Sequence, residues 1–277
     1  MKILIINIPT AKKDDKQFMS FINNVYIPVL NNNINLVKDQ NTEVTHRFCE
    51  WGLGPVDMAY CRYMDHLAQP MVYYAARNAE KEGYDAVIIN CFGDPMLWEL
   101  KQALNIPVIG LGETSMMYSL NLGHKFGVVS ISPYNNFEIE ETVEKYGLTK
   151  RFVGCESITS WEKGDQIEIE ETINAFTQAA RKLIDKGAEV IIPGCSVISF
   201  KIRAIKGITE IDNVPIVDII GVAIKQAEMF VSMKKSGSSW ISRKNLYHQP
   251  NTKTLETADY LLSNENLTFW DIKELRR

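Results

Sequence analysis

The sequence predicts an α/β protein of two pseudo-symmetric parallel-sheet lobes, with its functional site in the cleft between them. Three observations carry that expectation. Strand-length apolar runs alternate with longer segments of helical period, as in βαβ units. One stretch of chain recurs 104 residues further on, and both copies end on a cysteine.

In chain order, strands are expected at 2–7, 43–48, 85–90, 107–110, 126–130, 152–155, 189–193 and 215–218. These runs are rich in Val and Ile, as strands buried on both faces should be. Phe18, Phe21, Ile22, Val25 and Tyr26 follow the i, i+3, i+4, i+7, i+8 spacing of an amphipathic helix. Pro28 is expected to kink or end it.

Laid over itself, the chain matches Ala75-Ala76-Arg77 with Ala179-Ala180-Arg181, Gly83 with Gly187, the run from Ala86 with that from Val190, and Cys91 with Cys195. Each copy reads as a helix, a C-cap glycine, a buried strand and a cysteine at the strand end. The repeat resumes with a small offset as Asn105-Ile-Pro-Val-Ile109 and Asn213-Val-Pro-Ile-Val217. The expected organisation is lobe 1 from 1–109 plus 215–240, lobe 2 from 110–214, and a C-terminal extension over 241–277. That extension carries Leu255, Tyr260, Leu261, Leu262, Phe269, Trp270, Ile272 and Leu275. So many apolar residues should pack on a lobe or on a neighbouring subunit.

Composition narrows the partners. The 277 residues are 45% apolar and 23% charged, with a net charge of −4, which fits a globular chain and argues against a nucleic-acid groove or a polybasic membrane surface. No apolar run approaches the roughly 18 residues of a membrane span, and the N-terminal run lacks a signal peptide's length and cleavage site. The chain is expected to be cytoplasmic and a homo-oligomer acting on a small molecule. Its five cysteines, Cys49, Cys61, Cys91, Cys155 and Cys195, show no C-x-x-C spacing, which argues against a disulfide framework or a zinc cluster.

Ligands of open α/β sheets bind outside the carboxyl ends of the strands, where Cys91 and Cys195 both fall. Facing lobes would bring two thiols to one cleft from opposite sides. The plainer alternative makes both cysteines small buried hydrophobes, but their equivalence in the repeat speaks against it. Gly110-Leu-Gly-Glu-Thr-Ser115 resembles a dinucleotide loop, yet the third glycine is Ser115 and no acidic residue stands near Ser130. A cysteine hydrolase would need a histidine, and His46, His66, His124 and His248 lie near neither repeat cysteine in sequence. Cys49, Cys61 and Cys155 have no repeat partner and read as core or strand residues. Asp94 is the carboxylate nearest a repeat thiol in sequence. It reads as a substrate N–H acceptor, a thiol-positioning group, or the N-cap of the helix through Leu97, Leu100 and Leu104. Glu113, Thr114 and Ser115 open another helix, as a capping group or as a pocket wall.

Five segments resemble the aspartate/glutamate racemase superfamily over about residues 1–230, and within it the hydantoin (allantoin) racemase branch. They are Asp85-Ala-Val-Ile-Ile-Asn-Cys-Phe-Gly-Asp-Pro95, Ile106-Pro-Val-Ile-Gly-Leu-Gly-Glu113, Lys125-Phe-Gly-Val-Val-Ser130, Gly187-Ala-Glu-Val-Ile-Ile-Pro-Gly-Cys195 and Val214-Pro-Ile-Val-Asp218. Amino-acid racemases of the superfamily carry Cys-Asn-Thr and Gly-Cys-Thr-His at the two cysteines. Cys91-Phe92-Gly93 and Gly194-Cys195-Ser196-Val197 favour the hydantoin type instead. The family's Asn-Pro-Asn-Thr stands here as Asn7-Ile8-Pro9-Thr10, its Gly-Pro-Ala-Ser-Ile as Gly54-Pro55-Val56-Asp57-Met58, and its Gly-Cys-Ala-Gly as Gly194-Cys195-Ser196-Val197.

The resemblance implies an isomerase that needs no cofactor and no metal, with Cys91 and Cys195 as acid and base at a carbon next to a carbonyl. Asn7, Thr10, Phe92, Gly93, Asp94, Gly194, Ser196 and Val197 would bind the substrate, a 5-substituted hydantoin or similar cyclic ureide. Both cysteines are expected at helix N-termini, which favour a thiolate, with Gly93 and Ser196 leading into those helices and their N–H groups facing an enolate oxygen. The superfamily also holds amino-acid racemases, cofactor-free decarboxylases and cis–trans isomerases of small dicarboxylates. A non-catalytic binding protein on the same scaffold is the other class.

Overall fold

In the computed structural model, which describes residues 1–8, 14–50, 62–158, 169–263 and 268–273, β1 (Lys2–Asn7) is the central strand of the larger sheet. It pairs in parallel with β2 (Glu43–Glu50) and β3 (Ala86–Asn90). β4 (Val108–Gly110) joins β3 in parallel. Ile3, Ile5, Ala86 and Ile88 enter one apolar core, while Leu4, Ile6, Val87 and Ile89 enter another. Burial on both faces is why the strands read as unbroken apolar runs.

The smaller sheet repeats the plan, with β5 (Phe126–Ser130) between β6 (Phe152–Ser157) and β7 (Val190–Pro193), all parallel. Helices α3 (Arg62–Lys81) and α7 (Ile169–Asp185) lead into β3 and β7. Both end on left-handed glycines, Gly83 at φ +82° and Gly187 at φ +94°. The two C-caps match bond for bond: Tyr84 N–H to Ala79 C=O at 3.0 Å, and Ala188 N–H to Leu183 C=O at 2.9 Å. The sequence repeat is therefore a repeat of structure.

Of the two outcomes expected at Pro28, an end does not occur: the helix through Phe18 continues past it, with a break in its regularity just before the proline. It runs as α1 (Lys16–Phe21), a π-helical stretch (Ile22–Tyr26) and α2 (Ile27–Asn35). Ile27 N–H bonds the Ile22 carbonyl, and this wider turn takes up the proline ring that would clash in a regular helix. The run 215–218 is not a full strand. Val214–Pro215 forms β9, antiparallel to β8 (Glu210–Ile211), Ile216 makes an isolated bridge to Ile191, and Asp218 caps a helix through Gly221 N–H at 3.0 Å.

Four further helices complete the layers: α4 (Leu97–Ala103), α5 (Leu111–Leu122), α6 (Pro133–Lys145) and α9 (Ile219–Lys235). A short α8 (Ser196–Ser199) follows β7 and continues as π-helix over Phe200–Ile205. The extension docks on the larger sheet. Asp259 of α10 (Thr252–Ser263) pairs with Arg77 at 3.2 Å and Lys81 at 2.8 Å, and β10 (Thr268–Lys273) adds an antiparallel edge to β2. Leu255 is buried, whereas Leu275 lies outside the described residues. No described helix is long and apolar enough to cross a membrane.

Candidate active site

The strand ends of β3 and β7 bring Cys91 and Cys195, one from each sheet, to the lining of one cavity of about 690 Å³. Both are half-buried. Cys195 is the N-cap of α8, with extended backbone and its Sγ accepting the Val197 N–H at 3.3 Å. That donor and the helix start both favour a thiolate. Gly194 has no room for a side chain, since a Cβ there would lie 2.8 Å from Val128 Cγ1. Ser196 and Val197 line the cavity beside it.

Cys91 does not sit at a helix N-terminus, which corrects the expectation of matched thiols. α4 begins only at Leu97, and a turn fills the gap, with the Asp94 N–H donating to the Cys91 carbonyl at 3.2 Å. The physical reason is Pro95, which bars the residue before it from the right-handed helical region. Asp94 and Met96 instead take left-handed φ of 49° and 63°. Phe92 is buried in the core, and Gly93 is exposed, its missing Cβ 4.0 Å from Cys91 Sγ.

Nor does Asp94 cap α4, whose N-cap is Met96. Its carboxylate caps α5 instead, accepting Gly112 N–H at 2.9 Å and Glu113 N–H at 2.6 Å. Burial pushes this carboxyl up to about 7. Those two N–H groups and Lys101 oppose the shift, and Glu113 adds to it. The glycines that suggested a dinucleotide loop have another use: a Cβ at Gly110 would lie 2.4–2.6 Å from the Asp94 carboxyl, and one at Gly112 would lie 2.3 Å from the Phe92 carbonyl.

Asn7 lines the cavity but is engaged below it. Its amide N–H donates to the Arg47 carbonyl at 3.3 Å, so its oxygen faces Asn90, whose amide N–H donates to it at 2.7 Å and to the Tyr26 hydroxyl at 3.1 Å. Thr10, Pro9, Cys61 and the 54–58 segment lie outside the described residues.

Sequence reasoning missed the aromatic wall. Phe18, Phe21, Tyr26, Phe48 and Phe200 line the cavity, with the Tyr26 and Phe200 rings 4.9 Å apart. The apolar stripe of the amphipathic helix is thus in part a cavity wall, with Phe21 43% exposed. At the rim, Lys145 Nζ lies 3.4 Å from the Trp98 ring centre and Arg62 pairs with Glu141 at 3.1 Å. Of the four histidines only His66 lines the cavity. His46 is fully buried, and its desolvation lowers it to about 3. Cys49 is buried, and burial raises the Cys155 thiol well above its ordinary range.

Two α/β lobes with one cysteine from each on a shared cavity define a class of two-lobed enzyme. The fold is shared with allantoin racemase from Klebsiella pneumoniae (TM-score 0.68, 20% identity, covering 91% of this chain and 94% of that one). It is also shared with allantoin racemase from Pseudomonas fluorescens (TM-score 0.61, 23% identity, covering 91% and 97%). A hydantoin racemase of Pseudomonas sp. (strain NS671) is 27% identical over 187 residues, which make up 67% of this chain and 74% of the relative. The family model for Asp/Glu/hydantoin racemase matches residues 58–227, and the chain belongs to that family. It is an isomerase, a racemase.

Proposed function

We propose that the protein interconverts the enantiomers of a 5-substituted hydantoin or similar small cyclic ureide, using Cys91 and Cys195 as acid and base without a cofactor. The observation that carries this reading is that both thiols, from equivalent strand ends in the two sheets, line one cavity. The thiolate of one cysteine takes the proton from the carbon next to the carbonyl. The intermediate is planar, and the thiol of the other cysteine returns a proton to the opposite face. The roles then exchange for the other enantiomer. Cys195 has the setting for a resting thiolate, because the Val197 N–H already points at its sulfur.

The names of the relatives, hydantoin and allantoin racemases, support a cyclic ureide as substrate. The cavity has aromatic side chains for a ring and its substituent to lie against. Proton NMR in deuterated water tests the reading, with 5-substituted hydantoins, allantoin, aspartate and maleate offered in turn. Exchange at the ring carbon together with falling optical rotation is expected for a hydantoin or allantoin. Constant rotation of every ureide alongside turnover of maleate would reject it.

A further inference from the structure

The turn that carries Cys91 is held by a helix distant in sequence. Between Cys91 and α4, the Asp94 N–H donates to the Cys91 carbonyl at 3.2 Å and the Leu97 N–H to the Asp94 carbonyl at 3.1 Å. Two non-glycine residues, Asp94 and Met96, stand in the left-handed region, a conformation that persists only when the surroundings impose it. Pro95 keeps Asp94 out of the right-handed region, and α5 holds it in the left-handed one. Both carboxylate oxygens of Asp94 accept from the first turn of α5, at Gly112 and Glu113, 18 and 19 residues away. The Phe92 carbonyl presses on the same turn at Gly112, and glycine at 110 and 112 makes that approach possible. The anchors thus flank Gly93, the exposed residue beside the Cys91 sulfur.

We infer that Asp94 is a positioning residue, whose carboxylate ties the Cys91 turn to the N-terminus of α5 and so sets the place of the Cys91 thiol in the cavity. Its relevance to racemisation rests on the two-thiol reading, but the link from Asp94 to Cys91 does not. Cys195 is held through its own helix, by the Val197 N–H. The charged and titratable groups around the strap are Glu113, which pairs with Lys101, and Tyr146, which feels the Asp94 charge. Asp94→Ala removes both acceptors. Asp94→Asn keeps the shape but turns an NH₂ group toward a backbone N–H.

The test uses the full chain without substrate. Wild type, Asp94→Ala and Asp94→Asn are treated with iodoacetamide across a pH series, and labelling at Cys91 and Cys195 is followed by peptide mass spectrometry. Circular dichroism and gel filtration check folding. Labelling of Cys91 is expected to become severalfold faster and to change its pH profile, while Cys195 keeps its wild-type rate and profile. In the same variants kcat for racemisation falls by about 10²-fold with KM little changed, the cost of a misplaced reacting group. If Asp94→Ala does not fold, the Asp94→Asn rates are read instead. Unchanged labelling at Cys91, or equal acceleration at both cysteines, overturns the inference and leaves Asp94 a substrate contact or a general stabiliser. Racemisation that survives in Cys91→Ser or Cys195→Ser rejects the two-thiol reading alone, because the labelling still reads the strap.

Discussion

The backbone N–H of Val197 donates to the sulfur of Cys195 at 3.3 Å, so this cysteine caps the helix it precedes. Its repeat partner Cys91 opens a turn instead, with α4 delayed to Leu97. Two residues equivalent by sequence repeat therefore have unlike electrostatic settings. A helix start and an N–H donor favour a thiolate, and burial opposes one. Iodoacetamide near pH 7 is accordingly expected to label Cys195 before Cys91, with Cys155 and Cys49 slowest. Burial raises the Cys155 thiol, with Glu140 and Glu156 adding to it, and Cys49 is buried. Mass spectrometry of the labelled peptides against time checks the order, and fast labelling of Cys155 would contradict it.

Gly110→Ala is expected to weaken both fold and activity. The new Cβ would lie 2.4–2.6 Å from the Asp94 carboxyl, so the strap must shift. Overpacking of this kind costs about 1–3 kcal/mol. Thermal unfolding and racemase assays should fall together, whereas Gly93→Ala, with its Cβ 4.0 Å from Cys91 Sγ, should leave Tm nearly unchanged.

Two buried groups pull the pH dependence of stability in opposite directions. The Asp94 carboxyl titrates at about 7 in the fold against an ordinary 3.8, so the folded state holds a proton that the unfolded chain releases. Its contribution to stability is present below about pH 4 and is lost as pH rises to about 7. His46 is lowered to about 3 from 6.5. Its contribution is present above pH 6.5 and is lost as pH falls toward 3. Asp94→Asn removes the first effect, so urea unfolding of this variant should show a steeper loss of stability on acidification than wild type. Parallel curves would contradict the assignment.

Removing residues 251–277 is expected to lower Tm and to promote aggregation. The cut uncovers the β2 edge that β10 pairs and removes Asp259 from Arg77 and Lys81. Light scattering and thermal melts of the truncated chain check this, and an unchanged melt would show the extension to be a passive tail.

Strands buried on both faces announce themselves as apolar runs, so Lys2–Asn7 and Phe126–Ser130 were legible to the residue. The glycines at 83 and 187 marked the helix ends because only the left-handed region closes that cap. The cysteine pair was legible because the repeat is written in sequence. What escaped depends on partners far along the chain. Asp94 reads locally as a cap for α4, and nothing in its neighbourhood shows that it caps α5. Pro95 was the available signal that no helix begins at Cys91. The stripe Phe18 to Tyr26 has the period of a core-facing helix, and periodicity does not distinguish a core from a cavity wall. The Asn7–Asn90–Tyr26 network joins three elements by side-chain geometry alone.

Deuterium exchange in the single cysteine variants tests the central claim most directly. Each pure enantiomer of a turned-over hydantoin is incubated in deuterated water with Cys91→Ser or Cys195→Ser, and loss of the ring-carbon proton is followed by NMR. A serine hydroxyl is too weak an acid near neutral pH to replace the thiol, so racemisation should fall by several orders of magnitude in each variant. The remaining thiolate still takes the proton from the face it meets. Each variant should therefore exchange one enantiomer only, with opposite preferences in the two. Near-normal racemisation by either variant, or exchange of both enantiomers by the double variant, would contradict the two-thiol account.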